Sequence, residues 1–428
     1  MNKRMYKLHA VVFLLLLMIL TFSSLSFATN GVNLIGIGSS SREMGGTGIA
    51  APQDAVGGIY SNPAAIEDYQ KITFDFMGTV FIPSMTTKVT VGNLSYSADS
   101  SSKIYPIPSI AFTIPVSTQV TVGLGAYGIN GLGVDYRNTS VDNTKFYDFS
   151  AMYGRPAGSV MYPLIAGSYT NFNSMQFSPF VKYKINEQFS VGLAGRLNYA
   201  MMDAGSGTSQ GYGAGAKVGV LYKPMDMVSL GLTYLSPVDV KYKKMSDFDG
   251  DGTLDDLKLA QPQEVGFGVA VEPIKDKFLV ETNLKWVNWG GATGYEDFDW
   301  EDQWVLGVGA QYKPVKELAL RAGYNYGKNP VANHSNFNGA AMISMQGHTM
   351  PTYYYESFRM IGGPAFVEHH VTLGLQYTIT QQVNINLGYM HAFKNSMKET
   401  GTNMAGMPTS FESSLVEDSI ELGVKIRF

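Results

Sequence analysis

The chain has 428 residues with 47 glycines, 26 tyrosines, no cysteine and 15% charged residues, against roughly 25% charged and about 7% glycine in an average protein. An apolar fraction of 45% with a formal net charge of −4 excludes a disordered chain, and a pI near 5.9 lacks the basic surplus that nucleic-acid binding requires. The missing cysteine removes disulfides, thiolate metal sites and a cysteine nucleophile, while length alone would allow two or three soluble domains.

The first segment sets the compartment. Lys3, Arg4 and Lys7 precede the apolar run from Val11 to Leu20, and Ser26-Phe27-Ala28 places small residues at the −3 and −1 positions. This is the pattern of an export signal cleaved after Ala28; an anchoring helix needs about 20 apolar residues. Loss of the three cations leaves 28 basic against 35 acidic side chains, −7, on a chain starting at Thr29. Beyond Ala28 there is no uncharged apolar stretch of about 18 residues, so helical spans are excluded. An exported chain rich in glycine and aromatics then reads as a bacterial outer-membrane β-barrel.

Lipid-facing strands alternate, apolar side chains outward and the rest toward the lumen. In the last segment Ile420, Leu422, Val424, Ile426 and Phe428 share one face, and Glu421, Gly423, Lys425 and Arg427 the other. A lipid-facing charge at the bilayer midplane would cost about 2–4 kcal/mol, which keeps charges on one parity. The same pattern predicts strands near 71–82, 106–115, 119–129, 174–185, 189–200, 211–222, 227–236, 263–272, 277–287, 303–313, 317–327, 369–378, 382–393 and 415–428. Short connections at 115–118, 186–188, 223–226, 273–276, 314–316 and 379–381 alternate with long ones at 83–105, 130–173, 201–210, 237–262, 288–302, 328–368 and 394–414. The expected fold is therefore all-β, a 14-stranded antiparallel transmembrane barrel over 71–428. Inward positions are often glycine, as at Gly192, Gly219, Gly231, Gly309 and Gly323, which leaves room for another body in the lumen.

Residues 29–70 show no alternation and too few charges for a disordered extension, so they are expected to form a plug inside the barrel. Within them Gly45-Gly46-Thr47-Gly48-Ile49-Ala50 is followed by Asp54-Ala55 and then by Asn62, Pro63 and Ala64. This order resembles the N-terminal hatch of the FadL/TodX-type outer-membrane transporters of long-chain fatty acids and hydrophobic compounds. Tyr127-Gly128 in the third strand, Tyr389-Met390-His391 and the terminal Phe428 extend the resemblance over the whole mature chain.

The resemblance implies a monomer that captures an apolar ligand at the outer loops, shifts its hatch and releases the ligand sideways into lipid through a kink in the third strand. Long-chain fatty acids are the expected ligand, with aromatic hydrocarbons as the alternative; a polar-solute porin or a surface-display protein is the reading from another class. Lateral exit suits such ligands, because an aqueous channel would rehydrate a chain at about 0.8 kcal/mol per CH₂. Five glycines between Gly123 and Gly133 would let the strand bend, and Gly125, Tyr127, Gly128 and Gly131 are the candidate kink. Small residues making way for the hatch are the simpler account of the same glycines. The loops at 130–173 and 328–368 are rich in methionine and aromatics, adaptable apolar surface. Phe146, Tyr147, Phe149, Met152, Tyr153, Tyr353, Tyr354 and Tyr355 are the candidate capture residues, with loop-on-loop packing as the alternative. The loop at 201–210 is shorter than in the fatty-acid transporter, so ligand identity is less fixed than ligand class. The barrel-assembly machinery would read the strand that ends at Phe428, and no cofactor is required.

Asp247, Asp249, Asp251 and Asp255, with Gly252 at position 6 of the loop, fit the start of a calcium loop. Position 12 is Lys258 rather than glutamate, which points to a weak calcium site or a solvated acidic turn. Trp286, Trp289, Trp300 and Trp304 are expected in an interfacial girdle. His391 has no singled-out serine partner, so no enzymatic activity is expected.

Overall fold

The structure, a computed structural model, describes residues 29–67, 71–142, 145–363 and 365–428. The expected export signal, residues 1–28 with cleavage expected after Ala28, lies outside the described residues. Among those described, fourteen antiparallel strands form a closed wall: β1 Thr73–Val91, β2 Tyr105–Pro115, β3 Val120–Asp135, β4 Tyr169–Lys184, β5 Phe189–Asp203, β6 Ser209–Met225 and β7 Val228–Leu235. The second half is β8 Glu264–Ile274, β9 Phe278–Val287, β10 Gln303–Val315, β11 Leu318–Gly327, β12 His369–Thr378, β13 Val383–Thr402 and β14 Pro408–Arg427. Each pairs with the next, and β14 pairs back on β1 from Arg427↔Thr73 to Thr409↔Val91. Closure leaves no strand at the edge of an open sheet, the condition for strands to cross a bilayer.

Burial follows the predicted parity. In β5 Leu193 and Leu197 face outward, while Ala194, Arg196 and Asn198 are buried toward the lumen. In β14 Ile420 and Leu422 are exposed, and Glu421 and Lys425 are buried.

Outside the apolar band the strands run further than alternation predicted. The β1 strand continues to Val91 and folds into a hairpin with Leu94–Asp99. Past a bulge at Ala392/Asn395, β13 and β14 remain paired up to Thr402↔Pro408, so the expected loop at 394–414 shrinks to a tight turn. The connection at 237–262 is a second hairpin, Val238–Ser246 with Asp255–Gln261, whose Val238, Val240 and Tyr242 are buried in the core. Polar loop sequence concealed these extensions because strands beyond the membrane need no lipid-facing parity. The tryptophan girdle also needs correction. Trp304 is exposed, but Trp289 and Trp300 are buried and pack edge-on with Tyr295 at 4.6–5.0 Å.

Residues 29–67 lie inside this wall. They hold two short helices, α1 Ser39–Glu43 and α2 Ala55–Ser61, and almost all are buried.

Candidate functional site

The hatch is seated by polar contacts to lumen-facing side chains. Arg42 pairs with Glu421 and donates to Ser419 Oγ at 2.8 Å, and Glu43 accepts from Arg321 at 2.5 Å. Burial pushes Glu43 up to about 8 despite the opposing Arg321 charge. On the other side of the lumen Glu281 Oε1 accepts from the amides of Gly48 and Ala50 at 3.0 and 2.8 Å. Asp54 caps α2 through Gly57 N at 2.6 Å and also holds Ser40 N at 2.8 Å, so one carboxylate fastens the two helices together.

Asn62, Pro63 and Ala64 lie just after α2. Asn62 Nδ2 donates to Ile49 O at 2.7 Å and to Val220 O in β6 at 3.1 Å, and Asn62 Oδ1 accepts from Ala64 N at 3.0 Å. This single amide ties two hatch segments to the wall. The backbone approaches the wall so closely here that a Cβ on Gly219 would collide with Asn62 Oδ1, and one on Gly192 with Pro63 and Ala64.

The third strand departs from its neighbour. Its ladder to β2 runs from Thr121↔Pro115 to Tyr127↔Ser109 and stops, although β2 continues to Tyr105 and β3 to Asp135. Asn130 instead pairs with hatch residue Asn33, and the ladder to β4 is irregular between Gly128 and Asn130. From Gly125 to Asn130 every residue is buried, with no alternation, as expected of a strand drawn inward off the wall. Tyr127 is fully buried, donates to Ser178 Oγ at 2.8 Å and meets Tyr60 of α2 edge-on at 5.6 Å. Gly131 lies just beyond the irregularity.

Behind the separated strands is a cavity of about 280 Å³, walled by Phe81, Met85, Tyr105, Ile107, Asn130, Leu132, Leu415, Glu417 and the start of the hatch at Thr29, Gly31 and Leu34. Leu132 also walls a smaller cavity of about 50 Å³ with Val32, Phe172, Trp300, Phe298 and Phe358. Phe298 and Phe358 in turn border an outer cavity of about 450 Å³ among the long loops, with Met345, Met350, Tyr354 and Tyr355. Shared walls thus line up three spaces from the loops to the break between β2 and β3.

Arg359, which borders the middle cavity, is consumed by protein partners. It pairs with Glu356 and Glu399 at 2.6 and 3.0 Å and donates to Phe298 O and Ala332 O at 2.9 and 2.6 Å. A hydrogen bond to Glu356 holds His334 above its ordinary pKa. His334, Glu356 and Glu399 have donor atoms close enough to share an ion, but the guanidinium already sits among them.

The capture residues separate into two groups. Tyr354 and Tyr355 line the outer cavity, and Tyr353 is buried beneath them, its hydroxyl donating to Leu164 O. Phe149 is fully buried in the core and Phe146 is exposed. Tyr147 meets Tyr96 edge-on at 5.1 Å, Met152 lies against the turn at Gly92, and Tyr153 accepts from Asn403 at 3.2 Å. Tyr147, Met152 and Tyr153 thus fasten the loop at 130–173 to neighbouring hairpins, and none of the five borders the three cavities. The residues that sequence reasoning passed over are Leu132, Phe298, Phe358, Asn130 and Glu417. Asn130 stood in the glycine-rich stretch and was unremarkable until its pairing was known.

Carboxylate oxygens of Asp247, Asp249 and Asp251 lie within 4.8 Å of one another, and Asp249 forms a second group with Asp255 and His348. The four aspartates therefore do not converge on one point. Asp247 accepts from the amides of Gly250 and Gly252 at 2.7 and 2.9 Å, and hydrogen bonds from Thr253 hold Asp251 below its ordinary pKa.

A family profile described as Outer membrane protein transport protein (OMPP1/FadL/TodX) matches residues 201–338. The fold is similar to that of the Pseudomonas putida toluene transporter TodX, with a TM-score of 0.65 at 18% identity over 94% of this chain and 100% of that one. A Pseudomonas aeruginosa FadL homologue gives a TM-score of 0.65 at 12% identity, covering 93% and 100%. The Ralstonia pickettii toluene transporter TbuX gives 0.62 at 16% identity, covering 92% and 99%. No curated protein matches the sequence.

Proposed function

We propose, taking the chain as a member of the FadL/TodX-type outer-membrane family, that it takes up water-insoluble molecules through its outer loops and releases them sideways into the bilayer between β2 and β3. The observation that carries this reading is the ladder that ends at Tyr127↔Ser109 with a cavity directly behind it. A ligand leaving there passes from apolar walls to lipid without crossing water. Hatch rearrangement supplies the passage between cavities, because the hatch forms part of the inner cavity wall.

Neutral hydrophobic molecules of monoaromatic size are favoured over long-chain fatty acids. Each cavity is small, and the cation nearest the route, Arg359, has its charge answered by two carboxylates, leaving little to attract a third. The acidic turn at Asp247–Asp255 is proposed as a weak calcium site. The barrel acts as a monomer, inserted by the barrel-assembly machinery through the strand ending at Phe428.

The test is uptake of labelled toluene and labelled oleate by cells with and without the gene, alongside ion and sugar permeation through the purified protein in liposomes. Loss of toluene uptake on deletion is expected. Unchanged uptake of both hydrophobic probes together with rapid sugar permeation would establish a polar-solute pore instead.

A further inference from the structure

Glu417 and Asn130 border the cavity at the wall break and are only 5% and 7% exposed. Glu417 Oε2 and both Asn130 side-chain atoms, Oδ1 and Nδ2, have no hydrogen-bond partner among the described residues. Such groups are rare in protein interiors, since an unpaired buried polar atom forfeits its hydration without compensation. Here they converge on one space whose other walls include Phe81, Met85, Ile107 and Leu415. Among the described residues no lysine or arginine borders that cavity.

We propose that this cavity holds a polar subsite for the hydroxyl of an otherwise hydrophobic ligand, the chemical class of phenols and alcohols. The inference rests on the transport reading above and specifies its ligand. A hydroxyl is both donor and acceptor, so it donates to Glu417 and accepts from Asn130 Nδ2 while its hydrocarbon part lies on the apolar walls. A pure hydrocarbon displaces water from these groups without replacing its hydrogen bonds. An anionic carboxylate would leave water for a wall that, among the described residues, offers it no cation, so its desolvation goes unmatched by an ion pair. The subsite therefore ranks ligands as hydroxylated, then hydrocarbon, then carboxylate.

Trp289 and Trp300 report on this cavity, because both lie against Gly31 on its wall, about 2.9 Å from where a Cβ would sit. The experiment uses the full-length barrel in detergent with Trp286→Phe and Trp304→Phe removing the other two tryptophans. Heavy-atom quenching is titrated at pH 7 with 4-bromophenol, bromobenzene and 4-bromobenzoate. The expected result is at least tenfold tighter binding of 4-bromophenol than of bromobenzene, with 4-bromobenzoate weakest. Asn130→Leu should bring 4-bromophenol to the level of bromobenzene and leave bromobenzene unchanged, which also shows that the variant is folded. Glu417→Gln should keep the phenol preference, because the amide oxygen accepts from the same hydroxyl, and leave 4-bromobenzoate the weakest of the three. Equal affinity for 4-bromophenol and bromobenzene, or tightest binding of 4-bromobenzoate, overturns the subsite while leaving transport intact. Quenching by none of the three overturns the transport reading along with it.

Discussion

A covalent staple across the wall break tests lateral release directly. A Cβ placed on Gly128 would sit 3.9 Å from Ile107 Cβ, within the roughly 3.5–4.5 Å separation of disulfide-bonded residues. The chain has no cysteine of its own, so Ile107→Cys with Gly128→Cys creates a single defined pair. Oxidation joins β2 to β3 just past their last ladder pair, Ser109↔Tyr127, and places the bond at the cavity wall that Ile107 forms. A ligand denied this exit must return to water before reaching the bilayer. Burying a phenyl-sized group is worth about 1.5–3 kcal/mol, so uptake should slow about ten- to hundredfold. Labelled toluene uptake into cells is measured in the oxidised state and again after dithiothreitol, with gel mobility reporting the bond. Full uptake by a completely oxidised barrel would refute lateral release at this place, and failure of reduction to restore uptake would show that the substitutions act by some other route.

Other consequences follow from the hatch and the loops. Asn62→Ala removes the amide that satisfies Ile49 O, Val220 O and Ala64 N; at about 1–3 kcal/mol per orphaned buried group, hatch protection from protease should fall markedly while the barrel stays folded by circular dichroism. Because Glu43 is raised from 4.5 to about 8 by burial, the folded hatch holds a proton that the released hatch gives up. Its contribution to seating is full below about 4.5 and is lost as pH rises through about 8. Single-barrel conductance events should therefore be more frequent at pH 9 than at pH 6, and Glu43→Gln should flatten that dependence. For the acidic turn, calorimetry should find calcium binding with a Kd of about 10⁻⁴–10⁻³ M, abolished by Asp249→Asn, since Asp249 belongs to both carboxylate groups.

The wall was legible because lipid imposes a rule on every second side chain. Ile420, Leu422 and Val424 against Glu421, Gly423 and Lys425 state the side of the sheet on which each residue lies without reference to any other strand. Counting such segments gave fourteen strands, and the glycines on lumen parity announced an occupant that the residues before Thr73 were free to supply. Alternation has no hold outside the membrane, which is why the paired extension of β13 and β14 and the inward hairpin at Val238–Gln261 went unread. The same limit misplaced Trp289 and Trp300, which lie between β9 and β10 and pack on each other, on Tyr295 and on Gly31 of the hatch.

What only the tertiary structure decided is where neighbours part and which polar atoms are left without partners. A glycine-rich stretch permits β3 to bend, but the bend is located by the loss of β2 as partner after Tyr127 and the gain of Asn33 at Asn130. Glu417 looks in sequence like any lumen-facing acid of β14; its meaning comes from standing at the same cavity as Asn130, 287 positions earlier in the chain. Local periodicity records the environment of a strand face, whereas a ligand route is made of contacts between distant segments, and those exist only once the barrel has closed around its hatch.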